Sequence, residues 1–410
     1  MLSDAKIAVV ISRYRLLQCL QAVLFAVPLL ESASLPQPTG THIVGSRSFV
    51  WTDRSRTDVL RTPAEPRTLS VRAYYPADST TGTVGAYLPD WPLWISQVGE
   101  ARLRESLGAA FPTVGSITTE VRQNARISQK SGPFPLLVFL PGLGMNVEVY
   151  TALLSDLASH GYVVLAINPT YEVFAATIGK DKAVGFSSPG WFRPPVEKII
   201  EYEKGRLVVW AADAAFAIGQ LKGLPDFQKR VNWQKVGALG HSAGARVAAH
   251  LCQTEVQFTA CLNLDGFAGF QPFFAEDGSV FSKAFAMVHM VIPDPTDEEL
   301  ARTNTSREDM LKEKARQRNA GIRLFESVRG GSVEVTVSTA GFGHGSFTDL
   351  PIIGGSAGDP LRGMSHIRTY ALSFFEGALK GVRKTALDRD TSDADVLIER
   401  YTFKGPAPSR

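Results

Sequence analysis

The pentapeptide Gly240-His241-Ser242-Ala243-Gly244 constrains this chain more than any other stretch of its sequence. An apolar run from Val236 to Leu239 precedes it, and small residues with helical character follow it up to Ala249. A turn of the form G-x-S-x-G between a strand and a helix is too tight for side chains at its flanks, which explains both glycines. Such a turn exposes the serine hydroxyl and directs the N–H groups of the helix start towards it. The pattern predicts that Ser242 is a nucleophile. The alternative is a plain turn that joins a strand to a helix.

Length and composition fit one large α/β domain. The chain has 410 residues, of which 44% are hydrophobic and 20% charged, and its 36 glycines and 24 prolines suit a loop-rich globular fold. The net charge is only +3 and no basic run alternates with aromatic residues, so nucleic-acid binding has no support. The length would also allow two small domains, but the sequence contains neither a repeat nor a second core pattern, and we predict one domain.

The first 34 residues have the pattern of a targeting segment. Basic residues precede an apolar run at 16–30, and small residues follow at Ser32-Ala33-Ser34. This order is typical of a secretory signal peptide. Glu31 is unusual near a cleavage site and the basic region is long, so a signal anchor that tethers the protein to a membrane through residues 16–30 is the alternative.

Two further features depend on whether the chain enters the secretory route. With Cys19 in the targeting segment, Cys252 and Cys261 are left. They either form a disulfide or stay as two buried thiols, and the sequence leaves both interpretations open. Asn304-Thr305-Ser306 is a sequon in a polar, helix-like stretch, which predicts a glycan on Asn304 in a secreted protein.

From residue 135 onward the hydrophobic pattern is that of a parallel sheet. Continuous apolar runs, as expected for strands buried on both faces, alternate with helical stretches. The predicted strands are 135–140, 162–167, 236–239, 259–264, 284–292 and 333–337. The predicted helices are 148–159, 196–221, an interrupted helix at 296–328, and 361–379. Earlier in the chain we predict strands at 42–51 and 67–75, separated by a polar loop at 53–58.

Three segments have weaker patterns. Residues 91–111 carry apolar residues at helical spacing, and we favour core packing over contact with lipid. Residues 171–195 lack periodicity, and a segment of that length is often a lid or pocket wall. Residues from 388 onward are polar and predicted to be weakly ordered. The predicted organisation is thus a signal peptide or signal anchor, a folded domain and a C-terminal tail, at 1–34, 35–383 and 384–410.

A nucleophilic serine needs a base, and the base needs an acid that orients it. On a parallel sheet of this kind the chain order is serine, acid, histidine, each after a strand. Asp265 directly follows the strand at 259–264, and Asp294, after the next strand, is the alternative acid. His344 lies in a glycine-rich loop after the last strand. The other six histidines lie early in the chain, within strands or helices or at helix ends, or beside the serine, so we predict His344 as the base.

Acyl transfer by a serine also requires two backbone N–H groups for the oxygen that becomes negative. We predict the first at Ala243, directly after the serine. The second should follow the first buried strand, where Pro141-Gly142-Leu143-Gly144 lets the backbone approach a substrate, and we predict Leu143. The alternative is an ordinary Pro-Gly turn. This chemistry requires no metal and no organic cofactor, and no residue spacing typical of a metal site occurs.

Together these motifs resemble the platelet-activating-factor acetylhydrolase family, the secreted, plasma-type branch of serine esterases with its fungal and bacterial relatives. The matching pieces follow the family order over most of the chain: Leu35-Pro36-x-Pro38-Thr39-Gly40, Tyr74-Tyr75-Pro76-Ala77, Leu137-Val138-Phe139, Gly142-Leu143-Gly144, Leu157-Ala158-Ser159-His160-Gly161-Tyr162-Val163-Val164, Gly240-His241-Ser242-x-Gly244, Leu264-Asp265-Gly266 and His344-x-x-Phe347-x-Asp349.

The resemblance implies an α/β-hydrolase fold, with a mostly parallel central sheet flanked by helices. It also implies that the catalytic triad is Ser242, Asp265 and His344, and that Leu143 and Ala243 form the oxyanion hole. One position departs from the pattern, since the family usually has histidine where this chain has Pro141. The departure changes the polar network of the loop and bears on substrate preference.

The activity that the resemblance implies is hydrolysis of a carboxylic ester, with removal of a short acyl chain from a phospholipid-like substrate at a membrane or lipoprotein surface. The family also includes general carboxylesterases and polyester hydrolases, so an esterase, lactonase or acyltransferase acting on a small metabolite or a polyester is the alternative. Residues 171–195 and four phenylalanines are predicted to line the pocket, unless they are plain core: Phe267, Phe270, Phe273 and Phe274.

Two other classes of protein are weighed against an enzyme. A non-catalytic binding protein on the same scaffold is disfavoured because the three predicted triad residues are all present. A membrane-tethered interaction protein is supported only by residues 16–30.

Overall fold

The computed structural model describes residues 34–61, 63–78, 82–187, 196–266, 281–303 and 306–405. The strands in these ranges are β1 (Ile43–Thr57), β2 (Pro66–Ala77), β3 (Thr83–Ala86), β4 (Thr118–Gln123), β5 (Phe134–Leu140), β6 (Val163–Asn168), β7 (Ala175–Gly179), β8 (Lys182–Gly185), β9 (Val231–His241), β10 (Phe258–Leu264), β11 (Ala284–Met290), β12 (Ser332–Val337) and β13 (Val396–Tyr401).

The helices in the same ranges are α1 (Trp91–Gln97), α2 (Glu100–Leu107), α3 (Phe111–Val114), α4 (Thr151–Ser159), α5 (Val196–Gly223), α6 (Pro225–Gln228), α7 (Ala243–Thr254), α8 (Asp297–Thr303), α9 (Arg307–Glu326), α10 (Leu350–Ile353) and α11 (Pro360–Lys380). Short 3₁₀ helices occur at Gly108–Ala110, Val147–Tyr150, His344–Phe347 and Ala386–Asp388.

Eleven strands form one sheet, in the order β13-β12-β11-β10-β9-β5-β6-β2-β1-β4-β3. The run from β12 to β6 is parallel, and β13 and β2 flank it as antiparallel neighbours. Parallel strands need crossover connections, and here most of these are helices that cover the two faces of the sheet. The architecture confirms the predicted α/β-hydrolase fold.

Strand β5 shows why both faces of the sheet are covered. Leu137 and Phe139 belong to a core shared with residues of α4 and α11. Leu136, Val138 and Leu140 belong to a second core, on the other face, shared with residues of α5 and α7. All five side chains are fully buried. Because successive side chains of a strand point to opposite faces, an uninterrupted apolar run is the pattern that such a strand requires.

Segments with weak patterns differ most from their predictions. The polar loop predicted at 53–58 is wrong in part, because β1 continues to Thr57 beside β2 with an irregular register after Asp53. Polar side chains suit this extension, since Asp53 accepts hydrogen bonds from the hydroxyl of Ser55 and the guanidinium of Arg56. The segment predicted to lack regular structure contains the β7–β8 hairpin at 175–185.

The prediction that the polar C-terminal segment is weakly ordered is wrong in part. Residues Val396–Tyr401 form β13, which pairs with β12 at the edge of the sheet. Tyr401 stacks on Phe325 with ring centroids 4.9 Å apart and donates a hydrogen bond of 2.7 Å to Glu334. Val396 is buried whereas Leu397 is 57% exposed, and the apolar run ends after three residues at Glu399, so it is too short to identify a strand from the sequence.

The helical stretch at 91–111 packs as core, which was the favoured interpretation. Trp94 and Leu103 are 2% and 0% exposed and belong to the same core as Phe139. Within the described residues, no helix is both long and apolar enough to span a membrane.

The carboxyl ends of β5, β9, β10 and β12 lie along one edge of the parallel part of the sheet, where open α/β sheets form their sites. Each of these four ends is followed by one predicted site segment, which carries, respectively, Leu143, Ser242, Asp265 and His344.

Candidate active site

Ser242 occupies the turn between β9 and α7 with φ 54° and ψ −117°. A positive φ is rare for a residue with a side chain, and it persists only where the surroundings enforce it. A Cβ on Gly240 would lie 2.3 Å from the backbone of Gly244, and a Cβ on Gly244 would lie 2.2 Å from the carbonyl oxygen of Leu140. Both glycines are therefore required by close backbone approach, as the motif predicted.

Asp265 and His344 form a close pair beside this turn. Nδ1 of His344 lies 2.5 Å from Oδ2 of Asp265. Asp265 is only 1% exposed, and its N–H donates a 2.9 Å hydrogen bond to the carbonyl of Val288, which fixes it at the end of β10. The N–H of Ser242 donates to the carbonyl of Leu264, the residue before Asp265, at 2.9 Å. Because Nδ1 of His344 faces the carboxylate, Nε2 is the nitrogen left for proton transfer.

The alternative acid lies elsewhere. The carboxylate of Asp294 is 71% exposed and pairs with Lys314 at 2.6 Å. It is neither buried nor paired with a histidine, so the geometry favours Asp265.

In the loop after β5, the backbone N–H of Leu143 has no acceptor within the described part of the chain. The N–H of Gly142 donates to the hydroxyl of Tyr150 at 3.0 Å, and that of Gly144 donates to the carbonyl of Glu172 at 2.8 Å. The position of a Cβ on Gly142 is 3.5 Å from Cβ of Ser242, so the loop lies against the serine turn. The predicted donor is thus the N–H left available between two that have partners.

Tyr150 and His241 link this loop to the histidine. The Tyr150 hydroxyl lies 2.9 Å from Nδ1 of His241, and both residues are buried. Burial, together with the nearby His344, lowers the pKa of His241 well below its usual value, so its imidazole is neutral. The ring of His241 also packs on those of His344 and Phe347, with centroids 4.5 Å and 5.2 Å apart.

His241 is the site residue that sequence reasoning missed. On the sequence alone it is set aside as a histidine beside the serine, whereas in the structure its ring packs against that of His344. The sequence shows only that His241 is the second residue of the G-x-S-x-G motif, and this does not specify where its ring points.

Two further side chains, those of Asn146 and Glu172, stabilise the loop that carries Leu143. The amide of Asn146 pairs with the backbone of Ala175 through both its oxygen and its nitrogen. The carboxylate of Glu172 accepts hydrogen bonds from Arg206 at 2.7 Å and from Trp210 at 2.5 Å. The start of the segment that was predicted as a pocket wall is therefore a structural support of the loop, held against α5.

Asp349 lies at the end of the histidine loop and is completely buried. Its carboxylate accepts hydrogen bonds from the Tyr87 hydroxyl at 3.0 Å and from the N–H of Ala152 at 3.2 and 3.3 Å. Its own N–H donates to the carbonyl of Val149 at 2.7 Å. These contacts join the loop that carries His344 to the start of α4.

Some predictions fall outside the described residues. These are the targeting segment up to residue 33, the glycosylation site Asn304, the part of the predicted pocket wall at 188–195, and the predicted pocket residues Phe267, Phe270, Phe273 and Phe274.

Cys252 of α7 and Cys261 of β10 form a disulfide, with Cα atoms 6.4 Å apart. It joins the helix that follows Ser242 to the strand that precedes Asp265. The alternative of two buried thiols is not what the structure contains.

One further cluster of ligand-type side chains occurs in the described ranges, formed by His366, Asp393 and Asp395. Its carboxylates already pair with Arg362, at 2.7 Å each. A guanidinium thus supplies positive charge where a cation would bind.

Comparisons with known proteins find similarity to platelet-activating factor acetylhydrolases and to the structure of an esterase. The family model described as platelet-activating factor acetylhydrolase, isoform II, matches residues 29–186, a range that includes Leu143 and ends before Ser242. The platelet-activating factor acetylhydrolase of Canis lupus familiaris is 23% identical over 277 residues, covering 60% of this chain and 58% of that protein. The protein of the same name from Cavia porcellus is 27% identical over 229 residues, covering 48% and 49%.

The chain thus spans about half to three-fifths of the length of these relatives. Among solved structures, a ferulic acid esterase from Streptomyces cinnamoneus superposes with a TM-score of 0.69 at 22% identity, covering 90% of this chain and 99% of that one. The resemblance that the motifs indicated is confirmed, and the solved structure shares the fold.

The buried carboxyl of Asp349 predicts a pH-dependent stability. Burial raises the pKa of Asp349 to about 8, although hydrogen bonds from Tyr87 and the backbone N–H groups, and the charge of Arg368, act in the opposite direction. Unfolded, the group titrates near its ordinary pKa of about 4. Between these two values the folded protein holds a proton on Asp349 that the unfolded chain has released, so the contribution of Asp349 to the free energy of unfolding should fall as the pH rises and level off above about pH 8.

Asp349→Asn should remove this contribution. We expect the difference in unfolding free energy between the original protein and the variant to shift in favour of the variant as the pH rises from about 4 to about 8. Urea denaturation at several pH values measures the difference, with Asp226→Asn, an exposed carboxylate, as the control. Parallel stability curves for the original protein and Asp349→Asn would contradict the prediction.

Proposed function

We propose that the protein is a serine carboxylic-ester hydrolase with Ser242 as nucleophile, His344 as base and Asp265 as the acid that orients the base. The observation that carries the proposal is the 2.5 Å contact between His344 and the buried Asp265, next to a serine at a φ of 54°. A carboxylate on Nδ1 selects the tautomer whose Nε2 accepts a proton, and it stabilises the imidazolium that forms.

The reaction follows from these roles. Nε2 of His344 takes the proton of Ser242 as Oγ attacks the ester carbonyl, and the carbonyl oxygen becomes negative. The N–H groups of Leu143 and Ala243 hold that oxygen, and the intermediate collapses as His344 protonates the departing alcohol. Water then attacks the acyl-enzyme, with His344 accepting its proton and returning it to Ser242 as the acid leaves.

The oxyanion donors are expected to carry much of the rate enhancement. One such donor is worth about 10²- to 10³-fold in kcat, because it is already in place when the charge develops. Three ties support this role for Leu143: Tyr150 holds the N–H before it, Glu172 holds the N–H after it, and Asn146 fastens the loop to Ala175. Pro141 has no N–H, so it adds neither a donor nor a backbone tie at the position where the family usually has histidine.

The substrate that we propose is a phospholipid-like ester with a short acyl chain. The family match, which includes Leu143, and the names of the mammalian relatives support this class. We also propose that the enzyme acts at a membrane or lipoprotein surface, since such esters collect there.

Ser242→Ala should abolish hydrolysis of p-nitrophenyl acetate, with a loss in kcat of at least about 10³-fold, because the nucleophile is gone while binding remains. A fluorophosphonate probe should label the original protein on Ser242 and fail to label the variant, as mass spectrometry would detect. Ser327→Ala, which removes a buried serine at the end of α9, is the matched control and should keep full activity. Full activity in Ser242→Ala, or no probe labelling of the original protein, would exclude this mechanism.

A substrate panel tests the lipid assignment separately from the mechanism. We expect kcat/KM for short-acyl phosphatidylcholine analogues to exceed that for small aryl esters and lactones, and to fall as the acyl chain lengthens. Measurements with and without lipid micelles would show whether a surface accelerates the reaction. The opposite preference, for lactones or small aryl esters, would favour the small-metabolite alternative while leaving the triad in place.

We further propose that the protein is secreted and carries a glycan on Asn304. The targeting pattern at residues 1–34 supports entry into the secretory route, and the Cys252–Cys261 disulfide suits an oxidising compartment. Ser306, the last residue of the sequon, is exposed at the start of α9.

Expression in a eukaryotic secretory host tests both points. We expect a mature N-terminus close to residue 35 and a mass decrease on treatment with an N-glycosidase, which Asn304→Gln should abolish. Recovery of the protein in the membrane fraction with residues 16–30 retained would favour the tethered alternative.

A further inference from the structure

Two loops must keep a fixed relation during the proposed reaction, because one carries the base and the other carries an oxyanion donor. They are separated by some two hundred residues of sequence, with His344 on one loop and Leu143 on the other. An error of about 1 Å in such a relation costs on the order of 10²-fold in rate. Contacts that fix the position of one loop relative to the other should therefore influence the rate of the reaction.

Asp349 contacts the backbone on both sides of Tyr150. Its N–H donates to the carbonyl of Val149 at 2.7 Å, and its carboxylate accepts from the N–H of Ala152 at 3.2 and 3.3 Å. Tyr87 supplies a third contact at 3.0 Å. Asp349 thus fixes the short stretch of backbone from which the side chain of Tyr150 projects.

Tyr150 in turn contacts both parts of the proposed site. Its hydroxyl accepts the N–H of Gly142, the residue before Leu143, and it lies 2.9 Å from Nδ1 of the neutral His241. A phenol has one proton and can accept while donating, so both bonds can exist together. His241 then packs on His344, with ring centroids 4.5 Å apart.

We propose that Asp349 is a positioning residue, which acts through Tyr150 to hold the oxyanion donor of Leu143 in register with His344. The inference rests on the proposed ester hydrolysis and deepens it. Asp349 touches neither the reacting atoms nor the substrate in this account. It fixes the positions of Leu143 and His344 relative to each other in the transition state, when the oxyanion forms and His344 takes the proton. Its loss should therefore affect kcat more than KM.

A carboxyl group, whose oxygens accept hydrogen bonds, suits this task better than a hydrophobic residue of similar size. The N–H of Ala152 lies in the first turn of α4, where it has no acceptor within its own helix. A side-chain acceptor at that position both satisfies the N–H and fixes the helix start. An asparagine at 349 would keep one oxygen for Ala152, and its amide could donate to Tyr87.

The test compares steady-state kinetics on p-nitrophenyl acetate for Asp349→Ala, Asp349→Asn, Tyr150→Phe and the double variant D349A/Y150F. We expect Asp349→Ala to lower kcat by about 10- to 100-fold with KM changed less than about threefold. Asp349→Asn should retain activity to within about threefold. Tyr150→Phe should lower kcat by a factor similar to Asp349→Ala, and the double variant should lose little more than either single variant, because both act through the same hydroxyl.

Asp53→Ala is the matched control, since it also removes a buried carboxylate that accepts a backbone N–H, from Ser55, but on β1 and outside the site. It should destabilise the protein and leave kcat unchanged. If Asp349→Ala does not fold, Asp349→Ser replaces it, because the serine hydroxyl is too short to make the bond to Ala152 and the same loss in kcat is expected.

The outcomes separate the two proposals. Loss of ester hydrolysis in Ser242→Ala tests the proposed function and does not involve Asp349. Unchanged kcat in Asp349→Ala, an equal loss in Asp349→Asn, or multiplication of the two single losses in the double variant would each overturn the positioning role while leaving the esterase assignment intact.

Discussion

The close approach of three backbone segments around Ser242 is the constraint on which the rest of the site depends. Gly240 leaves no room for a Cβ against Gly244, and Gly244 leaves none against the carbonyl of Leu140. The serine between them is held at a positive φ that it would not adopt alone. This contact places the start of α7 directly against the end of β5, so the loop after β5 lies beside the nucleophile. The parallel register of β5, β9 and β10 then brings the acid to the same edge of the sheet.

Preorganisation of the loop that carries Leu143, the proposed oxyanion donor, is the second consequence. A donor helps catalysis only if it is fixed before charge develops, since reorganisation during the reaction would cost the energy that it supplies. Here the flanking N–H groups of Gly142 and Gly144 are engaged by a side chain and by a neighbouring segment, and the one between them has no acceptor in the described ranges. The position of the Leu143 N–H therefore depends on Tyr150 and Glu172, which accept the N–H groups on either side of it.

The sequence predicted the parts of this molecule that follow local rules. The buried strands of the sheet, the G-x-S-x-G turn, and the positions of Ser242, Asp265 and His344 after strand ends are all visible as patterns, because each depends on residues adjacent in the chain or on a strand end. The packing of His241 under His344, the bracketing of Tyr150 by Asp349, and the Asn146–Ala175 pair are not visible in this way. They join residues far apart in sequence, and their side-chain directions are decided by tertiary packing.

Edge structure was also poorly predicted, for a different reason. Strands β7, β8 and β13 are only five, four and six residues long, and none contains an apolar run longer than three residues. The long continuous apolar runs that identified the central strands are therefore missing from these three strands. The hairpin nevertheless matters to the site, because Ala175 at its start is the partner of Asn146 in the oxyanion loop.

The central claim is that a fixed loop and a strained turn place two N–H groups where the oxyanion of an attacked ester forms. The most direct measurement is the crystal structure of the protein after reaction with diethyl p-nitrophenyl phosphate, whose phosphoryl oxygen occupies the position of that oxyanion. The account predicts a covalent bond from Oγ of Ser242 to phosphorus, with the phosphoryl oxygen about 2.7–3.1 Å from the backbone nitrogens of Leu143 and Ala243. An adduct on another residue, or a phosphoryl oxygen held by neither nitrogen, would contradict it.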